Sequence, residues 1–236
     1  MKLPSALAGA LLLAPLSAQA ASVTVNTSAG TGYSTTALAG VVTTGADMNG
    51  LRVTGTFVGG ATETLIFSES VGPNGSTAPG GFFVSAFGNT FNDDAWRATT
   101  TSGTLATIRL EGAPGDTVFD IRYGGDRFSS TAGSFEGRPF SLRGNPSVDI
   151  VATYANEVRL TGDAPVGDLY EELLIDLSGL PDGGLLPGQV LEFGADTDNA
   201  AAGADITPDP VPLPASLPLV VAGMGALGLL RAWREG

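Results

Sequence analysis

Short runs that alternate apolar and polar residues recur through the middle of the chain, and they limit its fold more than any other feature. In one of them Ala106, Ile108 and Leu110 face one side, and Thr107 and Arg109 face the other. A side-chain period of two is that of a β-strand. Comparable runs lie at 22–26, 51–57, 63–69, 81–87, 118–123, 148–154, 158–160, 169–177 and 190–193. Gly, Pro, Asn and Asp separate these runs, which predicts short strands joined by turns.

The run 169–177 is the one ambiguous segment. Leu169, Leu173 and Leu177 also suit one face of a helix, whereas Ile175 fits the alternation. The surrounding strands favour a strand here too. A parallel sheet needs crossover helices, and no segment has the pattern for them. We therefore expect an all-β chain with a single antiparallel β-sandwich, jelly-roll-like, in residues 21–199.

The N-terminus is typical of a secretory signal peptide. Lys2 precedes an apolar run from Leu7 to Leu16, and small residues follow, with Ala18 and Ala20 in an A-x-A pattern. The apolar run is too short to span a bilayer of about 30 Å. We expect residues 1–20 to be a signal helix that signal peptidase removes after Ala20.

The C-terminus is predicted to cross a membrane. A linker at 200–210 leads into an apolar stretch from Val211 to Leu230, which is long enough to span a bilayer as a helix. Arg231 and Arg234 follow, as expected on a cytoplasmic face. Since Lys2 also lies on that side, the middle of the chain is expected outside the cell.

This tail resembles a known family of sorting signals. Its motif is Val211, Pro212, Leu213, Pro214 and Ala215, followed by an apolar segment and the basic residues Arg231 and Arg234. The combination is similar to the VPLPA variant of the PEP-CTERM signal, although Glu235 makes the end only partly basic. The resemblance is limited to the tail. It implies delivery through the export translocon and processing of residues 211–236 by an exosortase-like membrane enzyme.

Composition excludes several kinds of chemistry. The chain has no cysteine and no histidine, and Lys2 is its only lysine. Disulfides, cysteine nucleophiles, Ser-His-Asp triads and zinc sites with Cys or His ligands are therefore ruled out. Residues 21–210 carry 8 arginines and 23 acids, which gives a net charge of −15. Such a surface repels phosphate backbones, so nucleic acid is not an expected partner.

The segment that ends the last predicted strand is a candidate calcium site. Asp196, Asp198 and Asn199 place three oxygen-bearing side chains within four residues. Calcium takes six to eight oxygen ligands, and Asp205 or distant acids such as Asp47, Asp93 and Asp94 are further donors. The spacing of an EF-hand is missing. A plain Asp- and Asn-rich turn remains the alternative.

Two other kinds of site have weaker support. Trp96 follows an acidic turn, and it is either a stacking platform for a surface polysaccharide or a core residue.

A glycan hydrolase would need two carboxyl groups in a cleft. Glu111, Glu136, Glu157, Glu171 and Glu172 are the candidates, and no spacing singles out two of them. The sequence therefore favours a structural or adhesive surface protein without catalytic activity, with a calcium- or glycan-binding module and a secreted glycan hydrolase as alternatives.

Overall fold

The computed structural model describes residues 22–28, 30–39, 42–92, 95–122, 130–134, 136–143 and 148–210, and these residues are nearly all β. The all-β prediction is therefore confirmed. The strands are β1 Val23–Ser28, β2 Tyr33–Thr35, β3 Arg52–Phe57, β4 Thr62–Glu69, β5 Asn74–Thr77, β6 Phe82–Phe87, β7 Trp96–Thr100, β8 Leu105–Glu111, β9 Thr117–Asp120, β10 Ser141–Leu142, β11 Ile150–Leu160, β12 Leu169–Asp176, β13 Val190–Gly194, β14 Asp196–Asn199 and β15 Thr207–Pro208.

Helix is confined to single turns in the described residues: Gly45–Asp47, Ala113–Gly115 and Pro181–Gly183 are 3₁₀ turns. The ambiguous run 169–177 forms strand β12, as expected.

Within the described ranges no helix has the length and hydropathy to cross a membrane. The predicted signal helix at 1–20 and the predicted transmembrane helix at 211–236 lie outside the described residues.

The strands form one large mixed sheet. Its order is β10-β13-β7-β6-β5-β4-β3-β8-β12-β11-β2-β15, while β1 pairs with β11, and β9 pairs with both β12 and β14. Strand β4 connects two halves, because Thr62–Ile66 pairs with β3 whereas Phe67–Glu69 pairs with β5.

The predicted antiparallel pairing is wrong for the first two strands. β1 runs parallel to β11 in register Val23↔Ile150, and β2 runs parallel to the end of β11 in register Tyr33↔Val158. Both strands sit on the same side of β11, opposite β12. Parallel neighbours need a long connection, and most of the domain lies between β2 and β11. Local alternation reveals a strand but not the direction of its distant partner.

The main core lies between the two halves of the sheet. Phe57 of β3 meets Phe82 of β6 edge to face at 6.3 Å, and the two halves share one cluster of buried apolar side chains. Gly55 permits this contact, because a Cβ at that position would lie 2.7 Å from the Phe82 ring. Close packing of this kind is the main source of stability in an all-β domain.

A second, smaller core holds the described segment that follows β14, residues 200–210. Ile206 packs with Val118, Val158 and Leu169, and β15 pairs with β2. Asp209 forms an ion pair with Arg159 of β11 at 3.1 Å. The segment 200–210, expected as a linker, therefore packs against the sheet.

Candidate functional site

Four aspartates meet where β9, β12 and β14 come together. Asp120 of β9 lies directly opposite Asp196 of β14 in the antiparallel register. Asp198 is two residues further along β14, so it projects from the same side of the strand. Asp168 immediately precedes Leu169, which pairs with Asp120. These four residues, here called the aspartate cluster, are each at most 5% exposed.

Hydroxyl groups from the segment after β9 reach into the aspartate cluster. The Ser134 hydroxyl donates a hydrogen bond to Oδ2 of Asp120, and its influence opposes the rise in the pKa of Asp198. The Thr131 hydroxyl and backbone N–H both donate to Asp168, at 2.8 and 2.6 Å. Oδ2 of Asp198 is buried and has no hydrogen-bond partner. The cluster thus contains one carboxylate oxygen whose hydrogen-bonding capacity is unused.

Burial and mutual repulsion disfavour the charged form of these carboxyl groups. Burial raises the pKa of Asp196 to about 8, and the neighbouring Asp198 and Asp120 add to the effect. Burial also raises the pKa of Asp198 to about 7, with repulsion from Asp120 and Asp168. The pKa of Asp120 rises to about 6, again chiefly through burial, although the Ser134 hydrogen bond opposes the shift. Near neutral pH the cluster must hold protons or be balanced by a positive partner.

Only part of the predicted calcium site lies in this cluster. Asp196 and Asp198 belong to it, but they lie in strand β14 and not in a loop or turn. The Asn199 amide is used elsewhere, since it donates to the backbone oxygen of Asp47 at 2.7 Å and accepts from Thr117. Asp205 is exposed. Asp93 and Asp94 lie outside the described residues.

A metal site requires acidic side chains that can all reach one ion, which is a stricter condition than lying near one another. Within the described ranges, no group of three Asp, Glu, His or Cys side chains is arranged to hold a metal ion. The aspartate cluster is instead held by hydrogen bonds, from Ser134 to Asp120 and from Thr131 to Asp168. The calcium interpretation therefore stays a prediction.

Trp96 is a core residue, so it cannot serve as a platform for a sugar ring. Its side chain is fully buried and stacks on Phe193 at 5.8 Å with the ring planes 10° apart. The indole N–H donates to the backbone oxygen of Ala195 at 2.8 Å. Of the two alternatives for Trp96, the core position is confirmed and the glycan-binding face is wrong, because Phe67 and Phe193 pack against the buried ring.

Most glutamates that were candidates for hydrolysis have structural partners. Glu111 accepts two hydrogen bonds from the guanidinium of Arg52, at 2.6 and 2.8 Å. Glu172 pairs with Arg109. Burial raises the pKa of Glu172, and the attraction of Arg109 opposes that shift. Glu111 and Glu172 thus each have an arginine partner on the sheet.

Two further candidates, Glu157 and Glu171, lie next to an unusual asparagine. Asn156 has a φ of 62°, a left-handed backbone that asparagine tolerates better than most residues. Its amide donates to buried Glu171 at 3.0 Å and accepts from the backbone N–H of Thr31 at 3.1 Å. Asn156 thereby fixes the loop between β1 and β2 next to Glu157.

This loop forms one wall of a polar cleft of about 290 Å³. Glu157 lines the cleft, and its carboxylate lies near the hydroxyl of Tyr170. The cleft combines hydroxyls, one carboxylate and one ion pair, which suits a neutral polyhydroxylated ligand better than an apolar one. Its polar lining consists of Thr27, Ser28, Glu157, Tyr170 and the Arg159–Asp209 pair.

Sequence reasoning missed Asp120, Asp168 and Ser134. Asp120 was recognised only as a residue on the polar side of a strand, a position that usually faces solvent. Its partner strand β14 lies far along the chain, so no local pattern could reveal their pairing.

Comparisons of the chain with protein families, with curated proteins and with solved structures find no match.

Proposed function

We propose that the chain is an exported protein of the cell surface or extracellular matrix, with a structural or adhesive role and no catalytic activity. Its β-domain would be a two-layered, jelly-roll-like sandwich carried between a signal helix and a transmembrane sorting tail. The partners would be the export translocon, signal peptidase and an exosortase-like enzyme, with membrane attachment through the tail before processing.

The observation that carries this proposal is the position of the sorting-like motif relative to the last described strand. β15 ends at Pro208, and Asp209 is tied to Arg159 by an ion pair. The motif beginning at Val211 follows within three residues. Packed strand structure that reaches to within three residues of a motif resembling a sorting signal is the arrangement expected of cargo for such a signal. The ion-paired glutamates on the sheet also favour a non-enzymatic role.

The sorting motif can be tested by replacing its prolines. We expect the double variant Pro212→Ala/Pro214→Ala to remain with the membrane, because the processing enzyme no longer recognises it. Immunoblots of membrane and surface fractions from the producing bacterium measure this. The matched control is Pro79→Ala, at an exposed proline of the domain. Equal surface amounts of the double variant and the wild type would contradict the proposal.

A glycan-binding role is the second candidate, and the polar cleft favours it. Carboxylates and hydroxyls are the groups that bind sugar hydroxyls, and a volume of about 290 Å³ accommodates one or two sugar units. The natural ligand would be a surface polysaccharide of the same cell.

Glu157→Gln is expected to weaken binding of that polysaccharide about tenfold, since one hydrogen bond to a charged acceptor contributes roughly 1.5–3 kcal/mol. Calorimetric titration with purified envelope polysaccharide measures the affinity. Glu69→Gln, at an exposed glutamate, serves as the control and should bind like the wild type. If Glu157→Gln also binds like the wild type, the cleft is not the binding site.

A further inference from the structure

Strand β1 is exposed along its whole length, although it belongs to the sheet. All six of its residues, Val23–Ser28, are exposed, and Val23 and Val25 are 39% and 38% accessible. Within the described ranges its one strand partner is β11, which pairs with β12 on its other side. β1 therefore presents an open edge, and the backbone groups of such an edge are a template for a further strand.

The hydrogen bonding of β1 shows which of its backbone groups point to the open edge. The Ile150 N–H of β11 donates to the backbone oxygen of Ser22 at 3.2 Å. The N–H and C=O of one residue lie on the same side of a strand, and the side alternates from residue to residue. Every second residue from Ser22 onward therefore faces β11. The residues between them direct their N–H and C=O groups outward, and these are Val23, Val25 and Thr27.

The other described strands with a single strand partner are protected against such pairing. β10 and β15 are only two residues long, and β15 contains Pro208, which has no N–H to donate. The outer side of β14 is already used, because the Asp196 N–H donates to the Arg138 oxygen at 3.1 Å. β1 lacks these features, since residues 22–28 contain no proline, no glycine and no charged side chain.

We propose that the open edge of β1 binds a second copy of the chain, β1 against β1, so that the sheet continues from one molecule into the other. Charge selects a copy as the occupant. The chain has a net charge of −13, so two copies repel each other over most of their surfaces. Residues 21–46 carry no charged side chain, and β1 lies within them. β1 is therefore a place where two equally acidic molecules can approach closely.

An antiparallel pair with its two-fold axis at Val25 matches the outward groups best. Val25 then lies opposite Val25 of the second copy, and Val23 lies opposite Thr27, which allows about six backbone hydrogen bonds. Direct cross-strand pairs of β-branched side chains stabilise such a sheet. Asp149 accepts a hydrogen bond from the Ser22 hydroxyl at 2.7 Å. The two copies of this acid lie at opposite ends of the paired strands, roughly 20 Å apart, so they do not oppose the contact.

The small size of the paired edge sets the expected affinity. A single strand pair buries less than the roughly 1,200 Å² of a standard protein interface, so the dimer is reversible. We expect a dissociation constant of about 1–100 μM. Attachment of many copies to one cell surface would raise their effective concentration, and this is the one step that rests on the proposed function.

Sedimentation of the full-length chain in density-matched mild detergent, over a concentration series, measures the association. The wild type should pass from monomer to dimer as its concentration rises. Val25→Lys should raise the dissociation constant at least about tenfold, because it places two like charges directly opposite each other. Its melting midpoint should stay close to that of the wild type, since the side chain is exposed. Val71→Lys, the same change at an 88% exposed valine, should associate like the wild type.

Cysteine cross-linking tests the register, because the chain has no cysteine of its own. Val25→Cys should form a disulfide-linked dimer under mild oxidation. Residues of a hydrogen-bonded antiparallel pair have Cα atoms about 5.5 Å apart, which is within reach of a disulfide. Asn26→Cys and Val71→Cys are controls at exposed positions, and they should cross-link at least about tenfold more slowly.

Three results would overturn the proposal. The first is a wild type that stays monomeric up to about 1 mM, which would indicate another occupant of the edge, such as residues 211–236 of the same chain. The second is equal association of Val25→Lys and the wild type, which would indicate association through the apolar tail. The third is equal cross-linking of Val25→Cys and Val71→Cys. None of these outcomes depends on where the protein is sorted.

Discussion

Raising the pH of the chelator-treated protein from about 5 to about 9 is expected to lower its free energy of unfolding by several kcal/mol. The cause is the aspartate cluster, whose carboxyl groups have raised pKa values in the folded chain. An aspartate in an unfolded chain titrates near pH 4. Between about pH 4 and pH 8 the folded state therefore binds more protons than the unfolded state, so stability falls as the pH rises.

Asp196 makes the largest contribution to this pH dependence. Its pKa of about 8 lies roughly four units above the unfolded value, which corresponds to on the order of 5 kcal/mol at about 1.4 kcal/mol per unit. The full effect of the cluster is smaller than the sum over its members, because Asp120, Asp196 and Asp198 titrate as a coupled group. Even so, the fall in melting midpoint should reach about 10 °C.

Thermal unfolding in EDTA over a pH series measures this effect. Asp196→Asn should reduce the slope of the melting midpoint against pH, because its amide carries no charge at any pH in the series. Asp205→Asn removes the same net charge at an exposed position, and its curve should keep the wild-type slope. A wild-type midpoint that stays level or rises between about pH 5 and pH 9 would show that the cluster does not control stability.

Trp96→Ala is expected to destabilise the domain by about 3–5 kcal/mol, the usual cost of removing a fully buried large aromatic side chain. The variant would lose the stacking on Phe193 and the contact with Phe67, and it would leave a cavity between the sheet halves. It would also leave the backbone oxygen of Ala195 without its indole donor. A domain of this size typically has only about 5–15 kcal/mol of stability.

Denaturant unfolding of the full-length chain in detergent measures the loss for Trp96→Ala. The matched control is Phe87→Ala on the neighbouring strand β6, where the ring is 42% exposed. That change should cost no more than about 1 kcal/mol, because the ring loses mainly its surface contact with Arg97. Similar losses for Trp96→Ala and Phe87→Ala would contradict the core position of Trp96.

Local alternation was sufficient to locate several strands, although the longest strand, β11, was predicted as the two runs 148–154 and 158–160. β3, β8 and β12 follow from the period of two in their side chains, which any half-buried strand must have. The order and direction of the strands depend on contacts between distant segments. The parallel pairing of β1 with β11 therefore left no trace in either segment.

The segment Asp196–Asn199 shows how composition misleads where tertiary pairing decides the structure. Aspartate and asparagine are rare in strands, so the sequence suggested a loop or a turn. Pairing with β9 over four residues overrides this preference and buries the two carboxyl groups. Half of the aspartate cluster was thus recognised, and the other half became visible only with the fold.

The most direct test of the proposed export is the intact mass and N-terminal sequence of the protein recovered from the surface of the producing cells. The proposal predicts a species that begins at Ala21 and contains the β-domain through residue 210. Its mass will also show whether residues 211–236 have been removed. A full-length species that begins at Met1 and is recovered only from the cytoplasm would contradict the proposal.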